Sequence, residues 1–222
     1  MKNKIITFLS IIIFIIFIGF FLSSIIDKNN EKITQIENIE NIKKSIVKII
    51  PEKHLINFEN NPHWVNDSPE YWIWTGFFIN KNNEIITANH VVSSDNIKYY
   101  IITHDNNKYQ ANIISRDPQN DIAKITIDSS IKYNSININN KQNNKIWDQI
   151  YSFWINPQNL EIIYVTWKIT SKNKKLDNIS NLLEFTPKIT KWFSWWPIIN
   201  TNIEAIWINH AIKTWNSYWI FF

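Results

Sequence analysis

Glu84-Ile85-Ile86-Thr87-Ala88-Asn89-His90-Val91-Val92 is the stretch from which the rest of the chain is read. Residues 84–88 form a short run rich in β-branched side chains, and it breaks at the polar pair Asn89-His90. That predicts a strand with a titratable side chain at its end. The same texture recurs on both sides. Runs at 45–50, 73–79, 97–103, 109–115, 121–127, 150–153, 161–170, 182–185, 197–200, 205–212 and 218–222 are β-branched or aromatic and are separated by Asn, Asp, Lys and Pro. A dozen short strands at roughly 8–12-residue spacing, with no amphipathic helix between them and no repeat of fixed period, predict an all-β barrel or sandwich.

The 222 residues suffice for one large domain or two small ones at about 150 residues each. Hydrophobic content of 45% against 19% charged excludes wholesale disorder. Of the 23 Lys and Arg residues only Arg116 is arginine, and the net charge is a modest +4. Without a guanidinium cluster, nucleic acid is not an expected partner. The absence of Cys excludes disulfides, a thiolate zinc site and a thiol nucleophile. His54, His63 and His104 lie in polar stretches without a His-x-x-x-His spacing, so neither metal nor cofactor is expected.

Residues 5–26 carry no charge, and at 1.5 Å per residue they span about 33 Å, enough for a hydrocarbon core of about 30 Å. This predicts a signal anchor or transmembrane helix over 1–26. Ser23-Ser24-Ile25-Ile26 matches a cleavage site poorly, so the anchor is expected to stay. Lys2 and Lys4 place the N-terminus in the cytoplasm by the positive-inside rule. The expectation is a single-pass membrane protein whose main domain is extracytoplasmic. A polar stalk follows over 27–44, with Ile33, Ile36, Ile39 and Ile42 spaced as in a short helix. The lysine-rich run 172–175 reads as a solvated loop.

Tryptophan is over-used and glycine nearly absent: 12 Trp against 2 Gly, where average usage of about 7% would give roughly 16 glycines. Trp147 precedes Asp148, Trp215 precedes Asn216, and Trp195-Trp196 precedes Pro197. Turns and close backbone approaches of this kind favour glycine. Three indoles at Trp192, Trp195 and Trp196 are also hard to pack at native density. The chain is rich in Ile, Asn and Lys, as AT-rich coding sequence is. A UGA codon reassigned to glycine, but translated as tryptophan, would produce this composition. Most of the Trp positions are therefore predicted to be Gly in the molecule the cell makes.

Three polar segments carry the chemistry: Thr87-Ala88-Asn89-His90-Val91-Val92, Arg116-Asp117-Pro118-Gln119-Asn120-Asp121-Ile122-Ala123, and Lys191-Trp192-Phe193-Ser194-Trp195-Trp196-Pro197. In this order they resemble the His, Asp and Ser motifs of chymotrypsin-fold serine proteases of the HtrA (Do-like) branch. The resemblance extends to Thr75-Gly76-Phe77-Phe78-Ile79, to residues 146–157, to Val165-Thr166-Trp167-Lys168-Ile169-Thr170-Ser171, to residues 204–212 and to residues 218–222. It covers about residues 45–222. At Trp72, Trp74, Trp147, Trp154, Trp192, Trp195, Trp196, Trp207 and Trp219 the family usually has or tolerates Gly.

The resemblance implies a chymotrypsin-like double antiparallel β-barrel, a trypsin-like serine protease domain over 45–222 without a PDZ domain. It assigns Ser194 as nucleophile, His90 as general base and then acid, and Asp121 as the carboxylate that orients the imidazole. The backbone N–H groups of Trp192 and Ser194 would form the oxyanion hole. Ile208, Asn209 and His210 would pair with an extended substrate, and residues 186–191 would line the pocket for its side chain. Lys188 stands where a trypsin-like preference would need an acid. Asp117 is a rival to Asp121, but it sits in an Asp-Pro turn while Asp121 precedes an apolar strand.

The implied function is a membrane-anchored serine endopeptidase that hydrolyses unfolded or damaged envelope proteins through an acyl-enzyme. Implied partners are unfolded proteins or peptides, the membrane, and further copies in a homotrimer. Two other readings stand beside it: a catalytically inactive relative that binds extended peptides, and a tethered structural β-domain in which His90, Asp121 and Ser194 lie far apart.

Overall fold

The computed structural model describes residues 2–55, 73–139, 143–156, 160–176, 179–186, 197–212 and 219–221. Contacts divide the chain into two units, Met1–Glu40 and Asn41–Phe222. The first is the body of one continuous helix, α1 (Lys2–Lys43), so the expected anchor and stalk are a single element. No helix among the described residues is long and apolar enough to cross a membrane. The expected transmembrane helix over 1–26 is corrected accordingly. The single-pass membrane location, with the cytoplasmic N-terminus inferred from that span, falls with it. Along the isoleucine row Ile33 and Ile36 are exposed while Ile39 and Ile42 are buried.

The second unit is mostly β. Its first sheet comprises β1 (Ile46–Pro51), β2 (Trp74–Phe78), β3 (Glu84–Ala88), β4 (Tyr99–Ile102), β5 (Lys108–Asp117) and β6 (Ile122–Ile127). The order β1-β2-β3-β6-β5-β4 closes on itself through the β1–β4 ladder, giving a six-stranded antiparallel barrel consistent with a chymotrypsin-like fold. Alternation explains the closure. In β6, Ala123, Ile125 and Ile127 are buried while Ile122, Lys124 and Thr126 are partly exposed, as one face turned to a core requires. Val47, Ile49, Phe78, Ile85, Ile101 and Ile125 meet inside, each contributing about 1.5–3 kcal/mol by burial. Gly76 sits where the barrel leaves little room for a side chain. A Cβ there would lie 2.8 Å from Ile85 Cγ2 and 3.1 Å from the Ile86 carbonyl oxygen.

The remaining strands are β7 (Asn137–Ile138), β8 (Gln149–Ile155), β9 (Ile162–Leu176), β10 (Ile179–Thr186), β11 (Pro197–Asn200), β12 (Glu204–Ile212) and β13 (Trp219–Phe221). They form a sheet of order β10-β9-β8-β11-β12-β13, with β7 added in parallel to β12. Every ladder but that one is antiparallel. Among the described residues this sheet has no closing ladder, so the closed barrel is the first one. Its core gathers Ile150, Trp167, Ile169, Leu183, Phe185, Ile198 and Ile206. The run 172–175, expected to be a loop, belongs to β9. Pairing of Ser171 with Glu184 and of Lys174 with Leu182 extends the hairpin, because backbone hydrogen bonds to a neighbouring strand hold the chain extended whatever its polarity.

Candidate active site

The β3–β6 ladder builds the site. Its register pairs Ala88 with Ile122, which sets the residue after Ala88 opposite the residue before Ile122. The Asn89 amide donates to the Asp121 carbonyl oxygen at 2.9 Å, carrying the ladder one step past the strand ends. At that point β3 turns into a 3-10 turn over Asn89–Val92 that presents His90, while Val91 and Val92 are buried in the barrel core.

Asp121 and His90 meet there through two hydrogen bonds. The His90 amide donates to Asp121 Oδ1 at 2.8 Å, and His90 Nδ1 lies 2.8 Å from Asp121 Oδ2. The carboxylate is the sheltered partner, with 13% of its side chain exposed against 41% for the imidazole. Asp121 takes a left-handed backbone, φ 50°, which Asp tolerates better than most residues. A carboxylate held on Nδ1 fixes the ring tautomer with its proton on Nδ1, leaving Nε2 as the basic atom.

Asp117, the rival carboxylate, does different work. Its Oδ1 accepts the amides of Gln119 and Asn120, each at 3.1 Å, and its Oδ2 accepts the Asn120 side-chain amide at 2.6 Å. These bonds, the one from the Asn120 side chain foremost, hold its carboxyl below the ordinary value of 3.8. Asp117 is thus the brace of the turn that delivers Asp121. Arg116 beside it donates from Nη2 to the Val92 carbonyl oxygen and from Nη1 to Asp95 Oδ1, both at 2.6 Å. Those contacts were not foreseen; the only hint was that the chain's single arginine falls in this motif.

Of the other residues assigned from sequence, Ser194 and Trp192 lie outside the described residues, as do residues 187–191 of the expected pocket wall. The backbone of Ile208, Asn209 and His210 runs in β12, where Ile208 pairs with Pro197 of β11 and Asn209 with Phe221 of β13. Among the described residues no group of His, Cys, Asp or Glu is arranged to hold a metal ion.

Comparison with known proteins follows the same lines. The profile of the trypsin-like peptidase domain matches residues 74–186, 113 of the 222 residues. Several relatives carry the description probable periplasmic serine endoprotease DegP-like. That of Chlamydia pneumoniae is 30% identical over 142 residues, covering 62% of this chain and 28% of the relative. That of Chlamydia trachomatis is 29% identical over 62% of this chain and 28% of its own length. That of Bartonella henselae is 21% identical over 62% of the chain and 27% of its own length. The chain thus spans less than a third of the length of these relatives.

Proposed function

The chain belongs to the trypsin-like peptidase family, and from that premise we propose that it is an HtrA-type serine endopeptidase acting on unfolded or damaged protein chains. The observation that carries the reading is the pair of hydrogen bonds from His90 to Asp121, one from the backbone and one from the ring. A serine hydroxyl is a weak nucleophile until an oriented imidazole takes its proton. Ser194 Oγ attacks the scissile carbonyl carbon while its proton passes to His90 Nε2. The carbonyl oxygen becomes an oxyanion, stabilised by the backbone N–H groups of residues 192 and 194. As the intermediate collapses, the imidazolium gives its proton to the leaving amine and the acyl-enzyme remains. Water then repeats the sequence, with His90 again taking and returning the proton. Asp121 stays ionised throughout and stabilises the imidazolium. Backbone pairing with the strand around residues 208–210 would hold the substrate extended, as in β-augmentation.

The same proposal includes glycine at most positions written as tryptophan. Trp147 supports it: the residue has φ 75° and its side chain is 67% exposed. An L-residue gains nothing from the left-handed region, and an indole in solvent repays none of that strain. At position 192 a glycine lets the peptide turn its N–H into the oxyanion hole.

The test is to produce the full chain in two forms, with Trp as written and with Gly in place of Trp72, Trp74, Trp147, Trp154, Trp192, Trp195, Trp196, Trp207 and Trp219, and treat both with a fluorophosphonate. A covalent adduct on Ser194 of the glycine form, lost in Ser194→Ala and His90→Ala, together with cleavage of unfolded casein, is the expected result. No adduct and no cleavage in either form overturns the enzyme reading and leaves a peptide-binding relative. Intact mass of the natively expressed protein decides the glycine assignment separately.

A further inference from the structure

We infer that Arg116 is a positioning residue for His90, a claim that rests on the peptidase reading above. Arg116 pairs with Ala123 in the β5–β6 ladder and Asp117 with Ile122, so Arg116 and Asp121 hang from the same end of that ladder. Between them they grip the 3-10 turn at both ends. Asp121 takes its start, at the His90 amide and ring. Arg116 takes its finish, at the Val92 carbonyl, one of the acceptors that the end of a helical turn leaves without an internal partner.

The two halves of the Arg116 contact differ in weight. Asp95 is 82% exposed, and an ion pair to so exposed a carboxylate contributes little. The bond to the Val92 carbonyl lies on the sheltered side, since the Arg116 side chain is only 19% exposed and Val92 is fully buried. The Arg116 Nε–H is buried with no acceptor among the described residues, a cost that a lysine would avoid. What arginine supplies in return is a planar fork whose two arms reach Val92 and Asp95 at once. The rest of the chain meets its need for cations with lysine alone. The geometry therefore points to orientation, not charge, as the function of this guanidinium: it stops the turn from rolling about the Asp121 contacts and so aims the His90 ring.

Arg116→Met and Arg116→Lys in the full chain test this, with kcat and KM on unfolded casein, the thermal midpoint, and the imidazole Nδ1 proton of His90 by NMR. Arg116→Met is expected to lose about 10–100-fold in kcat, the scale of an ångström-level misplacement, with KM little changed and the His90 proton signal shifted or broadened. Arg116→Lys, which keeps the charge without the fork, is expected to recover only part of kcat. Wild-type kcat and an unshifted His90 signal in Arg116→Met, whatever the midpoint does, overturn the assignment. Should Arg116→Met not fold, a folded Arg116→Lys with full kcat overturns it equally. If neither the tryptophan nor the glycine form of the otherwise unaltered chain cleaves casein or labels at Ser194, the peptidase reading has failed, and the His90 proton signal alone then decides the positioning claim.

Discussion

Asp121 accepts from His90 twice, Oδ1 from the backbone amide and Oδ2 opposite ring Nδ1, each at 2.8 Å. One carboxylate thereby fixes both where the turn begins and which way its ring faces. The arrangement depends on strand register: the Ala88–Ile122 pair leaves the next residue of one strand and the preceding residue of the other facing each other. A slip by one residue would turn Asp121 or His90 to the opposite face.

Asp121→Asn separates charge from shape. Asn tolerates the left-handed backbone at φ 50° as Asp does, so the turn is retained. Its side-chain amide, however, favours the wrong imidazole tautomer and cannot stabilise an imidazolium. Turnover of unfolded casein is expected to fall by about 10⁴-fold, and fluorophosphonate labelling to slow in parallel, with a thermal midpoint near that of the wild type. A loss of less than tenfold in kcat would remove Asp121 from the mechanism.

The strands were legible because β-branched runs alternate with polar breaks. Each of the twelve runs read from sequence has a counterpart strand. What escaped was set by partners distant in sequence. β7 is two residues long, too short to show alternation, and exists only through its parallel pairing with Glu204 and Ala205. The lysines of 172–175 look like loop in isolation and are strand because β10 lies alongside. In sequence α1 looks like two segments because its composition changes near Asp27, yet nothing there breaks a helix: neither Gly nor Pro occurs between Gly19 and Lys43. At the site, the motif order singles out His90 and Asp121, which the structure brings into hydrogen-bond contact, whereas Arg116 becomes visible only where the ladder sets it beside Val92.

Asp117 braces the turn before Asp121, and its contribution depends on pH. Its carboxyl titrates below 3.8 in the folded chain, chiefly because the Asn120 side-chain amide hydrogen-bonds the ionised form. A depressed folded value means that the ionised group adds stability above the unfolded value, and that this is lost as pH falls through the folded one. Asp117→Asn is therefore expected to be less stable than wild type from neutral pH down to about 4, with the gap closing below 3.8. Denaturant midpoints across that range check it. A gap that stays constant into acid would assign the effect to shape instead of charge.

Gly76→Ala addresses the barrel that carries the site. The new methyl would meet Ile85 Cγ2 at 2.8 Å and the Ile86 carbonyl oxygen at 3.1 Å, and the second of these is backbone in the strand leading to His90. Overpacking of this kind costs about 1–3 kcal/mol. Thermal unfolding is expected to show a lowered midpoint. Because Ile85 and Ile86 belong to β3, kcat should fall as well. An unchanged midpoint would mean that the barrel yields at no cost.

Trp147 and Trp167 separate the positions where backbone demands glycine from those where an indole packs. Trp147 has φ 75° and an exposed ring, so Trp147→Gly removes a left-handed strain of about 1–2 kcal/mol and exposes nothing new. Its thermal midpoint should rise, by about 2–4 °C per kcal/mol in a chain of this size. Trp167 is buried in the second core, its ring centroid 5.2 Å from that of Phe185, and Trp167→Gly would leave a cavity costing about 3–5 kcal/mol. Its buried Nε1–H has no acceptor among the described residues, so Trp167→Phe, which removes that donor and keeps an aromatic ring in the core, should cost far less than the glycine exchange. The two glycine variants are thus expected to move in opposite directions in the same melting experiment. A lowered midpoint for Trp147→Gly would show that the turn at Asp148 does not need glycine, and the backbone argument for glycine at that position would fall with it.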